Sequence, residues 1–268
     1  MHEIVPAPEG GGAFVVKEGR TEQSWVDPRD PLRLEFEYVQ RIAEALEATV
    51  LQRPAEERIR VVHIGGGGLT IPRYVAARRP HSAQIVLEPD ADLVDQVRTR
   101  LPLAADSGVK VRTVDGLTGI TAMPDEYADA VLLDAFAQAC VPGELVTVSF
   151  FAEVRRVLRP GGIFAANVTD RSPLTWARRM VAGVRDIWQN VLVSTEIPVW
   201  KGRRFGNLVI LASAAVLPVA ALEREAAHAA FAYRFVSGPG LADWQGGAQP
   251  FTSADAQASP PPGWAWFG

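Results

Sequence analysis

From residue 59 onward the chain alternates short apolar runs with amphipathic stretches. "IRVVHI" (59–64), "AQIVLE" (83–88), "VKVRTV" (109–114), "ADAVLLD" (128–134) and "IFAANV" (163–168) are short and rich in branched residues. Runs of this kind form strands buried on both faces of a parallel sheet. Between them lie stretches with helical spacing. One covers 70–79, with Pro72 in the first turn, where the N–H groups have no helical partner. "ADLVDQVRTRL" (91–101) is the next. "TVSFFAEVRRVL" (147–158) stacks Phe150, Phe151, Val154, Val157 and Leu158 on one stripe, and "RPGG" ends it. A helix over 173–187, an antiparallel pair "VLVSTEIP" and "NLVILAS", and a helix over 218–231 complete the pattern. Repeated β-α-β order predicts an α/β fold with a doubly wound, mostly parallel sheet and helices on both faces.

Upstream, "AFVVKEGRTEQSWVD" reads as a short β-hairpin turning at Glu18-Gly19. "PLRLEFEYVQRIAEALEATVL" (31–51) reads as an amphipathic helix with Leu34, Tyr38, Ile42, Ala45 and Leu46 on its inner face. Residues 1–12 read as loose, and the end of the chain, with "SPPPGW", as irregular. The expected organisation is a hairpin and helix over 1–52, a nucleoside-binding domain over 53–235 and an irregular tail over 236–268. No internal repeat is visible.

Composition narrows the function classes. The 268 residues, 48% hydrophobic, suffice for one sizeable core. The net charge of −4, with no basic run, gives no footprint for nucleic acid or a membrane surface. The single cysteine, Cys140, excludes an internal disulfide framework and fits a reducing compartment. No apolar stretch approaches the roughly 20 residues of a membrane span, and "MHEIVPAPEGGG" lacks the layout of a signal peptide. The expectation is a soluble, cytoplasmic protein. His2, His63, His81 and His228 are scattered without ligand spacing, so no metal is expected, and His63 reads as a buried strand residue.

Candidate chemistry gathers at strand ends. "VVHIGGGGLTIPRYV" places Gly65, Gly66, Gly67 and Gly68 between a strand and a helix, where backbone can approach a ligand and helical N–H groups are spare. Glu88 ends the next strand, 21 positions after Gly67, and suits two ribose hydroxyls. Asp115, before Gly116 in "TVDG", ends the third strand, where an adenine amino group could be met. The ordered set points to a nucleoside-bearing ligand. A dinucleotide fingerprint wants a glycine at the sixth position, and counting from Gly65 that position is Thr70.

The "DEYADAVLLD…VLRPGG" arrangement instead resembles the class I, Rossmann-type methyltransferase fold. Within it, the chain from about residue 13 to 213 resembles the spermidine synthase (polyamine aminopropyltransferase) family, in particular its actinobacterial spermidine synthase-like branch. "GRTEQSWVD" resembles the N-terminal strand that ends in a glutamine, here Gln23. "HIGGGGLTIPR" resembles the glycine loop, with Arg73 in the matching place. "VLEPD" gives Glu88, "VDG" gives Asp115 and Gly116, and "LLDAFAQACVPGELVTVSFFAEVRRVLRPGG" gives Asp134. "EIPVWKGRRFGNLVILAS" resembles the substrate-side segment, with Trp200 and Arg203.

The resemblance implies transfer of an aminopropyl group from decarboxylated S-adenosylmethionine to a small amine, with methylthioadenosine as product, no metal, and assembly as a homodimer. Asp134 is the expected base, because the attacking amine must be neutral. The nucleoside half of the pattern is intact, whereas the acceptor half departs from it. Gly68 stands where the family has an aspartate, followed by Leu69 and Thr70 in place of two glycines. Ala137 replaces a second aspartate and Trp200 a tyrosine. The tyrosine expected near the start of the first helix is aligned with Arg33 or Leu34. Arg203 and Arg204 add positive charge. The reading is therefore an aminopropyltransferase with a degenerate acceptor site. The alternatives are methyl transfer from S-adenosylmethionine to a small acceptor, and a non-catalytic nucleoside-binding protein.

Overall fold

The computed structural model describes residues 2–262. Three N-terminal strands, β1 (His2–Pro6), β2 (Phe14–Glu18) and β3 (Thr21–Val26), form a small antiparallel sheet in that order. Helix α1 (Glu37–Glu47) follows. The main alternation then runs β4 (Arg60–Ile64), α2 (Thr70–Arg78), β5 (Ala83–Leu87), α3 (Ala91–Arg100), β6 (Val109–Arg112), α4 (Gly116–Thr121), β7 (Ala128–Leu133), α5 (Val148–Val157) and β8 (Leu158–Asp170). The remainder is α6 (Thr175–Ile187), β9 (Asn190–Glu196), α7 (Ile197–Trp200), β10 (Gly206–Ser213), α8 (Val219–Ala226), β11 (Tyr233–Ser237) and α9 (Gly238–Gln245).

The large sheet has eight strands in the order β11-β9-β10-β8-β7-β4-β5-β6. The five from β6 to β8 pair in parallel, and β10, β9 and β11 extend the sheet antiparallel. The doubly wound, mostly parallel sheet expected from the sequence is present. The order reverses between β4 and β7, so a crevice opens at their carboxyl ends, the usual place for a ligand in such sheets.

Apolar side chains cover both faces. On one, Ile42 and Leu46 of α1 meet Val61, Leu132, Ala165 and Leu211. On the other, Phe150, Phe151, Met180 and Trp188 meet Val62, Leu133 and Phe164, with the Phe164 and Trp188 rings stacked at 5.4 Å. The small sheet leans on this body through Ile4, Val16 and Val26, which pack with Leu69, Val86, Leu93 and Val97. It therefore sits over the start of α2, next to the crevice.

Three local expectations are corrected. Residues 2–6, read as loose, form β1; a turn through Gly10, Gly11 and Gly12, all at positive φ, returns the chain into β2. The first helix begins at Glu37, not residue 31, and ends at Glu47, with a single 3-10 turn at Val50–Gln52. The helix read over 218–231 stops at Ala226, and β11 and α9 follow in a segment read as irregular from 236. Strand β11 is too short for its pattern to stand out, and pairing with β9 fixes it. Of "SPPPGW", Gly263 and Trp264 lie outside the described residues. Among the described residues, no helix is long and apolar enough to cross a membrane.

Candidate active site

The glycines approach protein first. Gly65 has φ 94°, and a Cβ there would lie 2.1 Å from the carbonyl oxygen of Asp134. This close approach locks the end of β4 to the end of β7, and it excludes every residue with a side chain. Gly67, at φ 47°, would place a Cβ 2.4 Å from Ser24 Oγ, and at Gly68 one would lie 2.5 Å from Val26 Cγ2. The Gly68 N–H donates to Ser24 Oγ at 3.0 Å, and Thr70 Oγ1 donates to the Trp25 carbonyl at 3.0 Å. Arg73, buried, donates to the carbonyls of Gly68, Leu101 and Pro102. The loop is thus clamped by β3 on one side and by Arg73 on the other.

The donor-side residues converge on this loop. Glu88, just past β5, accepts from the Gly66 N–H at 2.8 Å and the Asp90 N–H at 3.0 Å, one bond on each oxygen. A carboxylate offers about four lone-pair positions, so each oxygen keeps one for a ligand hydroxyl. Asp115 caps α4 through the Thr118 N–H at 2.8 Å, and that bond holds its carboxyl below the usual carboxylate range. Asp115 is exposed. Gly116 is buried, and a Cβ there would meet Ile64 at 2.4 Å, immediately before the glycine loop. A cavity of about 230 Å³ lies on the α3 side of Glu88, lined by Gly66, Gly67 and Leu69 with Leu93, Val97 and Leu101. Asp134 does not line it.

Asp134 sits at the carboxyl end of β7, across the crevice from Glu88. It is half-buried, and each of its oxygens has a donor. Asn167 Nδ2, from β8, donates to Oδ1 at 2.9 Å, and the Tyr38 hydroxyl, from α1, donates to Oδ2 at 3.4 Å. Burial pushes the Asp134 carboxyl up to about 6, against the downward pull of these two hydrogen bonds. Burial and the neighbouring carboxylate also push the Tyr38 hydroxyl well above its ordinary value. A carboxylate poised near neutrality, oriented on both sides and beside a backbone loop, is suited to taking a proton.

The structure therefore brings Gly65, Gly66, Gly67, Glu88, Gly116 and Asp134 together around the crevice. It sets three other expected residues apart. Gln23 is the extra residue of a β-bulge between β2 and β3, and its amide donates to Glu18 Oε2 at 2.7 Å; Ser24 is the residue that reaches the glycine loop. The Trp200 ring stacks on Trp244 of α9 at 5.2 Å, with Arg234 over it at 5.0 Å, so it is packed against the C-terminal segment. Arg203 is exposed beyond α7.

Sequence reasoning missed Tyr38, Asn167 and Asn207. Tyr38 is the second residue of α1, close to where the resemblance expects a tyrosine, whereas the sequence reading aligned that tyrosine with Arg33 or Leu34. Setting the helix start at residue 31 displaced the match. Asn167 and Asn207 carry a signal of their own. Each is an amide in an otherwise apolar, buried strand, where a polar side chain must find a partner.

Comparison with known proteins finds relatives of the same fold. The methyltransferase-domain family profile matches residues 62–166. The polyamine aminopropyltransferase of Vibrio vulnificus is 30% identical over 167 residues, covering 60% of this chain and 53% of that protein. The match thus spans about half the length of that relative. Among solved structures, a probable spermidine synthase from Corynebacterium glutamicum has a TM-score of 0.87 at 28% identity, over 94% of this chain and 92% of that one. A spermidine synthase in complex with the transition state analogue AdoDATO has a TM-score of 0.60 at 15% identity, over 85% of this chain and 75% of that one, a likeness of fold alone. With strand-end acids, a glycine loop and a tyrosine-held aspartate arranged on such a sheet, the chain is similar to spermidine synthases and carries a methyltransferase-domain match over residues 62–166.

Proposed function

We propose that this protein transfers an aminopropyl group from decarboxylated S-adenosylmethionine to a small amine, with Asp134 as general base. The observation that carries the reading is the setting of Asp134, held by Tyr38 and Asn167 on its two oxygens, with burial pushing its carboxyl up to about 6. On this reading Glu88 takes the ribose hydroxyls, Asp115 and Gly116 the adenine side, and the backbone of Gly65, Gly66 and Gly67 the adenosyl sulfonium. The residues fit such a ligand, since Glu88 and Asp115 each keep acceptor capacity at the strand ends.

In the reaction, the amine nitrogen attacks the propyl carbon bound to the sulfonium. A C–N bond forms, the C–S bond breaks, and its electron pair stays on sulfur, which leaves as neutral methylthioadenosine. The proton displaced from nitrogen passes to Asp134. The leaving group needs no acid, so one carboxylate suffices for the chemistry. The acceptor side is thinner. Ala137 closes a tight turn with Cys140, with Gln138 and Ala139 both at positive φ, and contributes no charge. Trp200 is packed on Trp244 with Arg234 over its ring, and it contributes no negative charge. A diamine then loses charge-assisted bonds of about 1.5–3 kcal/mol each, so the preferred acceptor carries less charge at its far end. Assembly as a homodimer is part of the same proposal.

The test is release of methylthioadenosine from decarboxylated S-adenosylmethionine across a panel of mono-, di- and polyamines, in wild type and Asp134→Asn. Release that depends on an amine and on Asp134 is the expected result. No release with any amine overturns the reading, and formation of S-adenosylhomocysteine from S-adenosylmethionine replaces it with methyl transfer.

A further inference from the structure

Asn167 and Asn207 lie on neighbouring strands, β8 and β10, and face α1. Their register pairs Asn207 with Thr169 and Val209 with Asn167, so the two amides are diagonal neighbours. Asn207 Nδ2 donates to Asn167 Oδ1 at 2.8 Å, and Asn167 Nδ2 donates to Asp134 Oδ1 at 2.9 Å. Thr195 Oγ1 on β9 donates to the Asn207 main-chain carbonyl at 2.6 Å and ties the row to a third strand.

An amide has a donor end and an acceptor end, and rotation exchanges them. Asn167 is 1% exposed, so water cannot correct a wrong choice. With its carbonyl engaged by Asn207, its NH2 end must face Asp134. Reversed, it would set a carbonyl against a carboxylate, two acceptors with no proton between them. Much of the surrounding face is apolar, with Ala165, Val209, Leu211 and Leu192 near the row, beside the hydroxyl residues Ser194 and Thr169. Two apolar side chains would fill the same space without the cost of burying amides, so packing alone does not account for the pair.

We propose that Asn207 is a positioning residue for Asp134, acting through Asn167 to keep a donor on the carboxylate. The proposal rests on the reading of Asp134 as the base, but its geometry stands without turnover. The groups that set the titration of Asp134 are its burial, Asn167 from β8 and Tyr38 from α1. Tyr38 is the titratable one among them, and it is held far above neutrality. A shift on changing Asn207 therefore reports on Asn167.

The experiment follows the Asp134 carboxyl by carbon-13 NMR across pH in the ligand-free full chain, with Asp134→Asn to assign the signal. Asn207→Leu, which removes the donor at similar size, is expected to raise the midpoint by about one unit, a tenfold change in proton affinity. Asn207→Ser, which keeps a donor, is expected to fall between that variant and wild type. Asn207→Ala carries the comparison where Asn207→Leu does not fold. In parallel, the acid limb of methylthioadenosine release moves up by the same amount, with KM for the donor unchanged. A folded Leu or Ala variant with the wild-type midpoint overturns the proposal. Absence of methylthioadenosine release in wild type overturns the aminopropyl reading instead, and leaves the titration to decide the role of Asn207.

Discussion

The hydroxyl of Tyr38 points at Oδ2 of Asp134 from 96 residues earlier in the chain, at 3.4 Å. The bond joins α1 to the end of β7 across the mouth of the crevice, and it opposes the upward push that burial exerts on the carboxyl. Tyr38→Phe keeps the ring and removes this donor. The expected result is a folded enzyme with kcat reduced about tenfold, the value of one hydrogen bond to a charged group, and an acid limb moved to higher pH. A pH–rate profile checks both, and an unchanged limb would separate Tyr38 from Asp134.

In the proposed role, Asp134 sets activity against stability. Its folded value, about 6, is raised above the ordinary 3.8. Between these values the native state binds the proton more tightly than the unfolded chain, so the wild type loses stability as pH rises through that window. Asp134→Asn has no such loss. Its aminopropyl transfer is expected to fall about 10²–10⁴-fold. Its melting temperature is expected to match wild type near pH 4 and to exceed it above pH 6. The gain is about 1–2 kcal/mol, after allowance for the solvent a half-buried carboxylate retains. Thermal melts at pH 4, 6 and 8 test the crossover.

Much of this site was legible in the sequence, for a physical reason. Parallel strands buried on both faces read as apolar runs, so β4, β5 and β7 and the acids at or just past their ends were placed by pattern. What escaped depended on contacts between distant segments. Gln23, expected from the resemblance, turns to Glu18 because a bulge slips the alternation by one residue, which no local pattern announces. Tyr38 looked like one more inner-face residue of an overlong helix. The glycine loop was read as room for a ligand, although the side chains its glycines exclude would strike Ser24, Val26 and the Asp134 backbone.

That last point decides what position 68 can hold. The resemblance places an aspartate there, but Val26, Ser24 and Val16 of the small sheet lie 2.5, 3.1 and 3.2 Å from where a Cβ would stand. Gly68→Asp is therefore expected to destabilise the fold by at least about 3 kcal/mol, from overpacking and a buried carboxylate. It should not restore affinity for a diamine. Urea unfolding and an amine titration measure the two effects. A stable Gly68→Asp protein with improved diamine use would show that the small sheet yields at this point.

His63 makes stability depend on pH from inside the sheet, near the end of β4. It is 3% exposed on β4, and its Nε2 lies 2.8 Å from Gln84 Oε1. Burial depresses it from 6.5 to about 4. The folded state thus holds it neutral where the unfolded chain takes a proton. Its contribution is full above pH 6.5 and is lost as pH falls toward 4, amounting to up to about 3 kcal/mol. His63→Gln, with an uncharged amide, is expected to flatten the decline in melting temperature between pH 6.5 and 4. An equally steep decline in the variant would assign the loss to other groups.

The C-terminal segment straps down the loop that follows Asp134. Ser259, 2% exposed, accepts from the Val141 N–H through Oγ at 2.9 Å and donates its own N–H to the Val141 carbonyl at 3.0 Å. Further along the strap, Trp176 Nε1 donates to the Gln257 carbonyl at 2.8 Å, and the Val148 N–H to the Phe251 carbonyl at 3.0 Å. The strap is therefore fastened to α6 through the Trp176 indole and to α5 through a main-chain bond, and it holds the loop through the hydroxyl and the main chain of Ser259. Ser259→Ala leaves the buried Val141 N–H without a partner, a local cost of about 1–2 kcal/mol, or roughly 5–30-fold in the population of open loop. Cys140, the one cysteine in the chain, lies next to Val141 and reports that opening. Its thiol is held above its ordinary value by burial, so labelling is best followed at mildly alkaline pH. Labelling of Ser259→Ala is expected to accelerate by that factor with little change in global melting. Equal rates in variant and wild type would mean that the main-chain bonds alone hold the loop, and that Ser259 adds nothing to its closure.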